Sequence, residues 1–179
     1  MLFRSRKLHI GGWVRTPGWE VIDARPLPHV DHVGNAKDLT RFEPATFTDI
    51  YASHVLEHFD FKDEIFMTLV EWCRVLVPGG TLHVSVPDMD ILARLFVERQ
   101  HLSKADRFAV MQMIFGGHRD PYDYHLIGLN EEFLTDLLGK TGFADIRRVV
   151  DLGLFDDTSR FAFHGVPISL NMTAVKSKL

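Results

Sequence analysis

The stretch that decides the fold is FTDIYASHVLEHFDFKDEIFMTLVEWCRVLVPGGTLHVSVP, running from Phe47 to Pro87. Its opening, Phe47-Thr48-Asp49-Ile50-Tyr51-Ala52-Ser53, is rich in aromatic and β-branched side chains and predicts a strand. From Phe61 to Val77 the period changes, with Phe61, Ile65, Leu69, Trp72, Cys73 and Leu76 recurring at helical spacing. Pro78-Gly79-Gly80 is expected to stop that helix, and Thr81 to Val86 then alternates up to Pro87 as a second strand. A strand, a helix and a strand in succession form a parallel crossover unit, which points to an α/β domain with a mostly parallel sheet.

The flanking sequence extends this pattern. Lys7 to Ile10 and Glu20 to Asp23 read as short strands, joined only by Gly11 through Trp19. A crossover between parallel strands ordinarily takes about a dozen or more residues, so the first crossover helix is expected to be shortened or missing. His32 to Ala36 suggests a short third strand. Downstream, Asp90 to Arg99 reads as a helix, and Ser103 with Asp106 as a capping box opening another that runs to Phe115 and closes at Gly116-Gly117. His118 to His125 is a polar, aromatic loop. Asn130 caps a helix over Glu131 to Lys140, Gly142 ends it, and Phe143–Val150 and Ile168–Lys176 are the last strands. Leu152 to Pro167 reads as an irregular loop, so those two strands are expected to pair antiparallel at one edge. No repeat or linker divides the chain, and residues 1–179 are read as one domain.

Composition narrows the function classes. The 179 residues are 46% hydrophobic and 25% charged, enough for a core and its coat, which excludes a disordered or low-complexity chain. Twenty Lys+Arg against 24 Asp+Glu leave a net charge of −4, and no aromatic-basic stripe accompanies Arg147-Arg148, so nucleic acid is not an expected partner. Cys73 is the sole cysteine, which forbids an internal disulfide and a multi-thiolate zinc site, and suits a reducing compartment. The basic start, Met1 to Lys7, is followed by Leu8-His9-Ile10-Gly11-Gly12 rather than the longer apolar core of a signal peptide, and no apolar run reaches membrane-spanning length. The expectation is a soluble, cytoplasmic protein without a membrane partner; its oligomeric state is left open.

Sheets of this class bind ligands at the carboxyl ends of their strands. The residues there are Gly11-Gly12, Asp23, Asn35-Ala36, Ser53-His54 and Pro87-Asp88. Glycines after the first strand let a ligand approach the backbone, and an acid after the second accepts hydrogen bonds from ribose hydroxyls. Each alone is a turn or a solvated strand end; in this order they indicate a nucleoside-containing ligand. Asp23 follows Gly11 by 12 positions, short of the roughly 20 of dinucleotide-binding units, which argues against NAD.

Leu8-His9-Ile10-Gly11-Gly12, Pro17-Gly18-Trp19, Ile22-Asp23, the run Asp49 to Phe59, and Glu71 to Leu82 together resemble class I S-adenosylmethionine-dependent methyltransferases, with the nearest similarity to the short, type 11-like bacterial group. The resemblance covers nearly the whole chain and is most specific from Asp49 to Val86. It implies a Rossmann-like, seven-stranded sheet with its last strand antiparallel, and S-adenosylmethionine as cofactor. Gly11 and Gly12 would then face the methionine portion, Asp23 the ribose, Asn35-Ala36 the adenine edge, and Ser53-His54 the floor near the sulfonium. The family usually has Asp where this chain has Asn35, whose amide oxygen still accepts a hydrogen bond. The segment from His118 to Leu129 would cover the pocket, and Trp13 and Trp19 would wall it.

His54-Val55-Leu56-Glu57-His58 also matches H-x-x-E-H, a zinc-protease signature whose histidines share one helical face while the Glu serves as base. Because the segment directly follows a strand, His54 is expected at the strand end rather than in a helix, and no metal ligand is assigned. The reading reached is S-adenosylmethionine-dependent methyl transfer to a small-molecule or glycan-like acceptor. His58 and His125 are the candidate bases, should the acceptor have to lose a proton. A catalytically silent methyltransferase-fold module that binds a partner is the alternative, and a zinc hydrolase built on His54, Glu57 and His58 a further one.

Overall fold

The computed structural model describes residues 5–178; Met1 to Arg4 of the basic N-terminal stretch, and Leu179, lie outside the described residues. Strands β1 (Arg6–Ile10), β2 (Glu20–Asp23), β3 (His32–Val33) and β4 (Phe47–Ser53) lead into helix α1 (Glu64–Val75) and strand β5 (Leu76–Pro87). Helices α2 (Met89–Val97), α3 (Lys104–Phe115) and α4 (Glu131–Lys140) follow, then β6 (Phe143–Val149), a small hairpin β7 (Ala162–Phe163) and β8 (Val166–Pro167), and β9 (Ser169–Lys176). Seven strands form one sheet in the order β3-β2-β1-β4-β5-β9-β6, and the β7–β8 pair stands apart. Strands β1 to β5 pair parallel. The last two strands pair antiparallel at one edge of the sheet, as expected, with the antiparallel strand, β9, inserted between β5 and the outermost β6.

No helix intervenes between β1 and β2, or between β2 and β3, so the first crossover helix is missing as expected from the short connection. Several boundaries differ from the sequence expectation. Strand β3 stops at Val33. Helix α1 starts only at Glu64 and ends at Val75, before Pro78, because Leu76 already has the extended backbone of β5. The Pro78-Gly79-Gly80 turn is extruded within β5 as a bulge, since Phe47 pairs with Leu76 and Asp49 already with Thr81. Leu152 to Pro167 is not wholly irregular: it holds a one-turn 3₁₀ segment at Thr158–Arg160 and the β7–β8 hairpin, whose His164 and Gly165 both have positive φ, as a two-residue type I′ turn requires.

Period-2 alternation divides the sheet into two unlike faces. Leu8, Ile10, Ile50, Ala52, Leu82 and Val84 point to one side and join Ile65, Leu69 and Trp72 of α1 and Leu134 and Leu138 of α4 in the main core. The opposite row runs His9, Tyr51, His83, Thr173 across β1, β4, β5 and β9. Its cover is the chain after β6: the Phe155 ring lies 4.1 Å from that of His9 and 4.5 Å from that of Tyr51, centroid to centroid, and Asp157 accepts from the Tyr51 hydroxyl at 2.8 Å. A second cluster, Leu92, Val110 and Ile168, fastens α2 and α3 over the carboxyl end of the sheet.

Candidate functional site

A cleft of about 1380 Å³ opens at the carboxyl ends of β1, β2 and β4, the place this sheet topology offers a ligand. Its wall includes Gly11, Asp23, Asn35, Ala36, Ser53, His54, His58 and His125. Gly12 is not part of it: a Cβ there would meet the His9 imidazole at 2.8 Å, and its carbonyl accepts from His29 Nε2 at 2.9 Å, so this residue faces the opposite side of β1. Gly11 has φ +70°, and a Cβ on it would press on Val55 Cγ2 at 2.9 Å; the close turn needs glycine. Trp13 lines the cleft with Arg25 beneath its ring, whereas Trp19 packs against His9, Tyr51 and Phe155 on the far face.

Asp23 ends β2 buried, and its carboxylate is held by Arg25, whose backbone N–H donates at 2.8 Å and whose Nε donates at 3.1 Å to the same oxygen. Asn35 Oδ1 accepts from the Lys37 N–H at 3.1 Å, the Asx turn expected of Asn after a strand. Trp72, fully buried in α1, donates its indole N–H to the Ala36 carbonyl at 2.8 Å and so fixes this turn against the core. Ser53 Oγ lies 3.4 Å from Asp157 Oδ1.

His54 follows β4 with φ +55°, a left-handed residue and not a helical one. The helical face that H-x-x-E-H needs is therefore absent, and Leu56–His58 forms only a single 3₁₀ turn. The left-handed kink instead sends His54 toward β9, where Nε2 meets Ser169 Oγ at 2.9 Å. It also turns Glu57 inward: the residue is 1% exposed, and neither carboxylate oxygen has a hydrogen-bond partner. Burial pushes this carboxyl up to about 8, leaving it neutral at pH 7. Burial likewise pulls the His54 imidazole down to about 4, and the His125 imidazole to about 4 with His58 adding to the effect.

The segment from His118 to Leu129 is tied to this turn. The backbone N–H of Leu126 donates to the Glu57 carbonyl at 2.7 Å, and His58 Nδ1 donates to the Tyr124 carbonyl at 2.9 Å, with the His58 and His125 rings 4.9 Å apart. The candidate bases, far apart in sequence, thus stand together over the end of β4. The strand-end reading missed Arg25, since its role depends on the Asp23 pair, and gave no role to Gln112 and Met113, which α3 brings to the cleft; their only signal is a weakly amphipathic helix.

The sheet order with an antiparallel β9 next to β5, the ligand cleft at the carboxyl ends, and the glycine and acid after β1 and β2 coincide with one known architecture. Residues 21–84 match the family described as Methyltransferase domain. The chain has the class I methyltransferase fold. A protein from Bordetella parapertussis superposes over 98% of this chain and 66% of its own, with TM-score 0.61 and 14% identity. A SAM-dependent methyltransferase from Archaeoglobus fulgidus does so over 96% and 86%, with TM-score 0.61 and 14% identity. The N-methyltransferase NodS from Bradyrhizobium japonicum, solved with S-adenosyl-L-homocysteine, does so over 96% and 78%, with TM-score 0.58 and 15% identity. Other structures of this fold are about twice as long as the chain, which spans 49% of a phosphoethanolamine N-methyltransferase from Haemonchus contortus. No curated protein matches the sequence. Among the described residues, no helix of this methyltransferase fold is long and apolar enough to cross a membrane.

Proposed function

We propose that this chain transfers a methyl group from S-adenosylmethionine to a small-molecule or glycan-like acceptor. The observation that carries the reading is the gathering of Gly11, Asp23, Asn35, Ala36, Ser53 and His54 around one cleft at the carboxyl end of a class I methyltransferase sheet. The donor set fits the cofactor: a glycine turn open to a close ligand at β1, a buried carboxylate at β2, and a fixed turn at Asn35-Ala36 held by Trp72. S-adenosylmethionine, when bound, supplies an electrophilic methyl group on a sulfonium.

What the chain contributes is placement and exclusion of water. Asp23 accepts from the ribose hydroxyls, and Arg25 must yield part of its hold for that to happen. Asn35 Oδ1 has a second lone pair for the adenine amine beside the one given to Lys37. Ser53 and His54 form the floor, and Tyr122 to His125 the cover. For a hydroxyl acceptor, His58 Nε2 is the proton acceptor the geometry favours, because Nδ1–H is anchored on the Tyr124 carbonyl and the other ring nitrogen carries the lone pair. His125, with its imidazole held near 4 by burial, is a weak base. A small acceptor accords with the phosphoethanolamine acted on by one structural neighbour.

A calorimetric titration with S-adenosylhomocysteine tests the reading. Micromolar binding, weakened at least about tenfold (about 1.4 kcal/mol) in Asp23→Ala, is expected. No heat up to about a millimolar, or less than about 4 kcal/mol of binding, would instead favour the catalytically silent module, for which the Arg25-occupied Asp23 is the supporting observation.

A further inference from the structure

We propose that Glu57, His58 and His125 form a binding site for one divalent transition-metal ion of the zinc class, with an open coordination position facing the cleft. The site goes beyond methyl transfer, and its test needs no cofactor. The zinc-hydrolase alternative read from the H-x-x-E-H pentad takes His54, Glu57 and His58 as its residues; the geometry keeps Glu57 and His58 and brings in His125 in place of His54.

Three observations carry the inference. One ligand atom from each of Glu57, His58 and His125 lies within 4.8 Å of the others. Tetrahedral zinc, about 2.0–2.1 Å from each nitrogen or oxygen, places its ligand atoms about 3.3 Å apart, so the widest pair closes by at most about 1.5 Å. That is within reach of side-chain rotation, since His125 Nε2 is 4.0 Å from Glu57 Oε1. Next, the Glu57 carboxylate is 1% exposed, and neither of its oxygens accepts a hydrogen bond, although His54 Nδ1 stands 3.4 Å from Oε1. A carboxylate without a partner in an apolar interior is costly, and a cation beside it removes the cost. Finally, His58 gives Nδ1–H to the Tyr124 carbonyl, the outer contact that fixes the ring of a metal-ligating histidine and leaves Nε2 free for the ion.

Two imidazoles and one carboxylate are the donor set of zinc sites that keep a fourth position open. Glu57, His58 and His125 all line the cleft, so that position is accessible to a ligand with an oxygen or nitrogen donor. A bound ion commits the lone pair of His58, so proton acceptance at this residue describes the metal-free protein, and metal content decides which role the residue plays. The ion would also join the Leu56–His58 turn to the segment carrying Tyr124 and His125 and thereby pin the cover of the cleft.

The experiment is titration of the chelator-stripped full chain with Zn²⁺ against a chromophoric chelator, with Co²⁺ absorption as a second readout. Expected are one equivalent of Zn²⁺ bound below micromolar and the visible bands of tetrahedral Co²⁺. His58→Ala and His125→Ala should each weaken binding at least about tenfold, and Glu57→Gln should weaken it while keeping the fold; substitution of the exposed His101 should change nothing. Failure to take up metal, an octahedral Co²⁺ spectrum, or affinity unchanged in both histidine variants would overturn the site. Should a histidine variant not fold, the wild-type Co²⁺ spectrum and Glu57→Gln still decide. Titration with S-adenosylhomocysteine in chelator separates the two readings: cofactor binding without metal uptake sinks only the metal site, and metal uptake without cofactor binding sinks only methyl transfer.

Discussion

Glu57 shows how a single residue sets the character of this cleft. In the metal-free protein its carboxyl is held at about 8 against an ordinary value near 4.5, so the folded state prefers the neutral form. Stability from this group is complete below pH 4.5 and is lost as pH rises through 8. Glu57→Gln, neutral at every pH, should therefore raise the thermal midpoint at pH 8 in the presence of chelator and leave it unchanged at pH 4. Equal shifts at both pH values would show that the carboxyl titrates alike in the folded and unfolded chain. The glutamate was visible in the sequence only as the fourth letter of a pentad. Its burial arises from the left-handed backbone at His54, a conformation that a non-glycine residue does not announce. Asp23, by contrast, was legible from its position after β2, but its occupation by Arg25 was not, because local sequence does not show which rotamer an arginine takes.

At the scale of elements, α1 does more than cover the sheet. Its periodic face was legible, although its ends were not: Phe61 continues the pattern but is exposed, and Leu76 continues it but is already in β5. Periodicity records which residues are apolar, whereas the helix begins after Asp63, which makes no side-chain cap, and its last carbonyls find partners outside the helix. Those partners come from distant chain: Lys176 Nζ donates to the Arg74 carbonyl at 3.3 Å and to the Leu76 carbonyl at 2.7 Å. The Trp72 bond to Ala36 links this helix to the cleft. Trp72→Phe keeps the ring in the core and leaves the Ala36 carbonyl unpaired, at a cost of about 1–3 kcal/mol. Denaturant unfolding should show that loss, and S-adenosylhomocysteine affinity should fall with it; full affinity in a destabilised variant would separate the turn from the ligand site. At the end of β5, Asp88 is buried, accepts from the Asp90 and Ile91 N–H groups at the start of α2, and receives Arg148 of β6 at 2.8 Å. Asp88→Ala removes a cap and leaves Arg148 with Glu131 alone, so a loss of about 2–4 kcal/mol in denaturant unfolding is expected.

The whole molecule departs from its fold class on the sheet face that lacks the first crossover helices. The nine-residue connection from Gly11 to Trp19 made that absence legible. Its replacement was not legible, because Phe155, Asp157 and Ser159 sit in a stretch with no period, and only the folded chain lays them over His9 and Tyr51. This arrangement, together with the cleft, buries three imidazoles that the fold holds at about 4: His9 under Phe155, and His54 and His125 at the site. In the unfolded chain each titrates near 6.5. Between pH 6.5 and 4 the unfolded state therefore binds protons that the folded state refuses, so the stability these groups contribute is complete above 6.5 and lost as pH falls toward 4. Glu57 acts in the opposite sense, costing stability as pH rises from 4.5 to 8. Three groups outweigh one below pH 6.5, and above it the carboxyl acts alone. The thermal midpoint of the metal-free chain should thus be highest near pH 6.5, fall steeply toward pH 4 and fall gently toward pH 8. A midpoint that holds or climbs from pH 6.5 down to 4 would mean that the imidazoles are protonated in the fold, and that Phe155 and its neighbours do not seal this face against water.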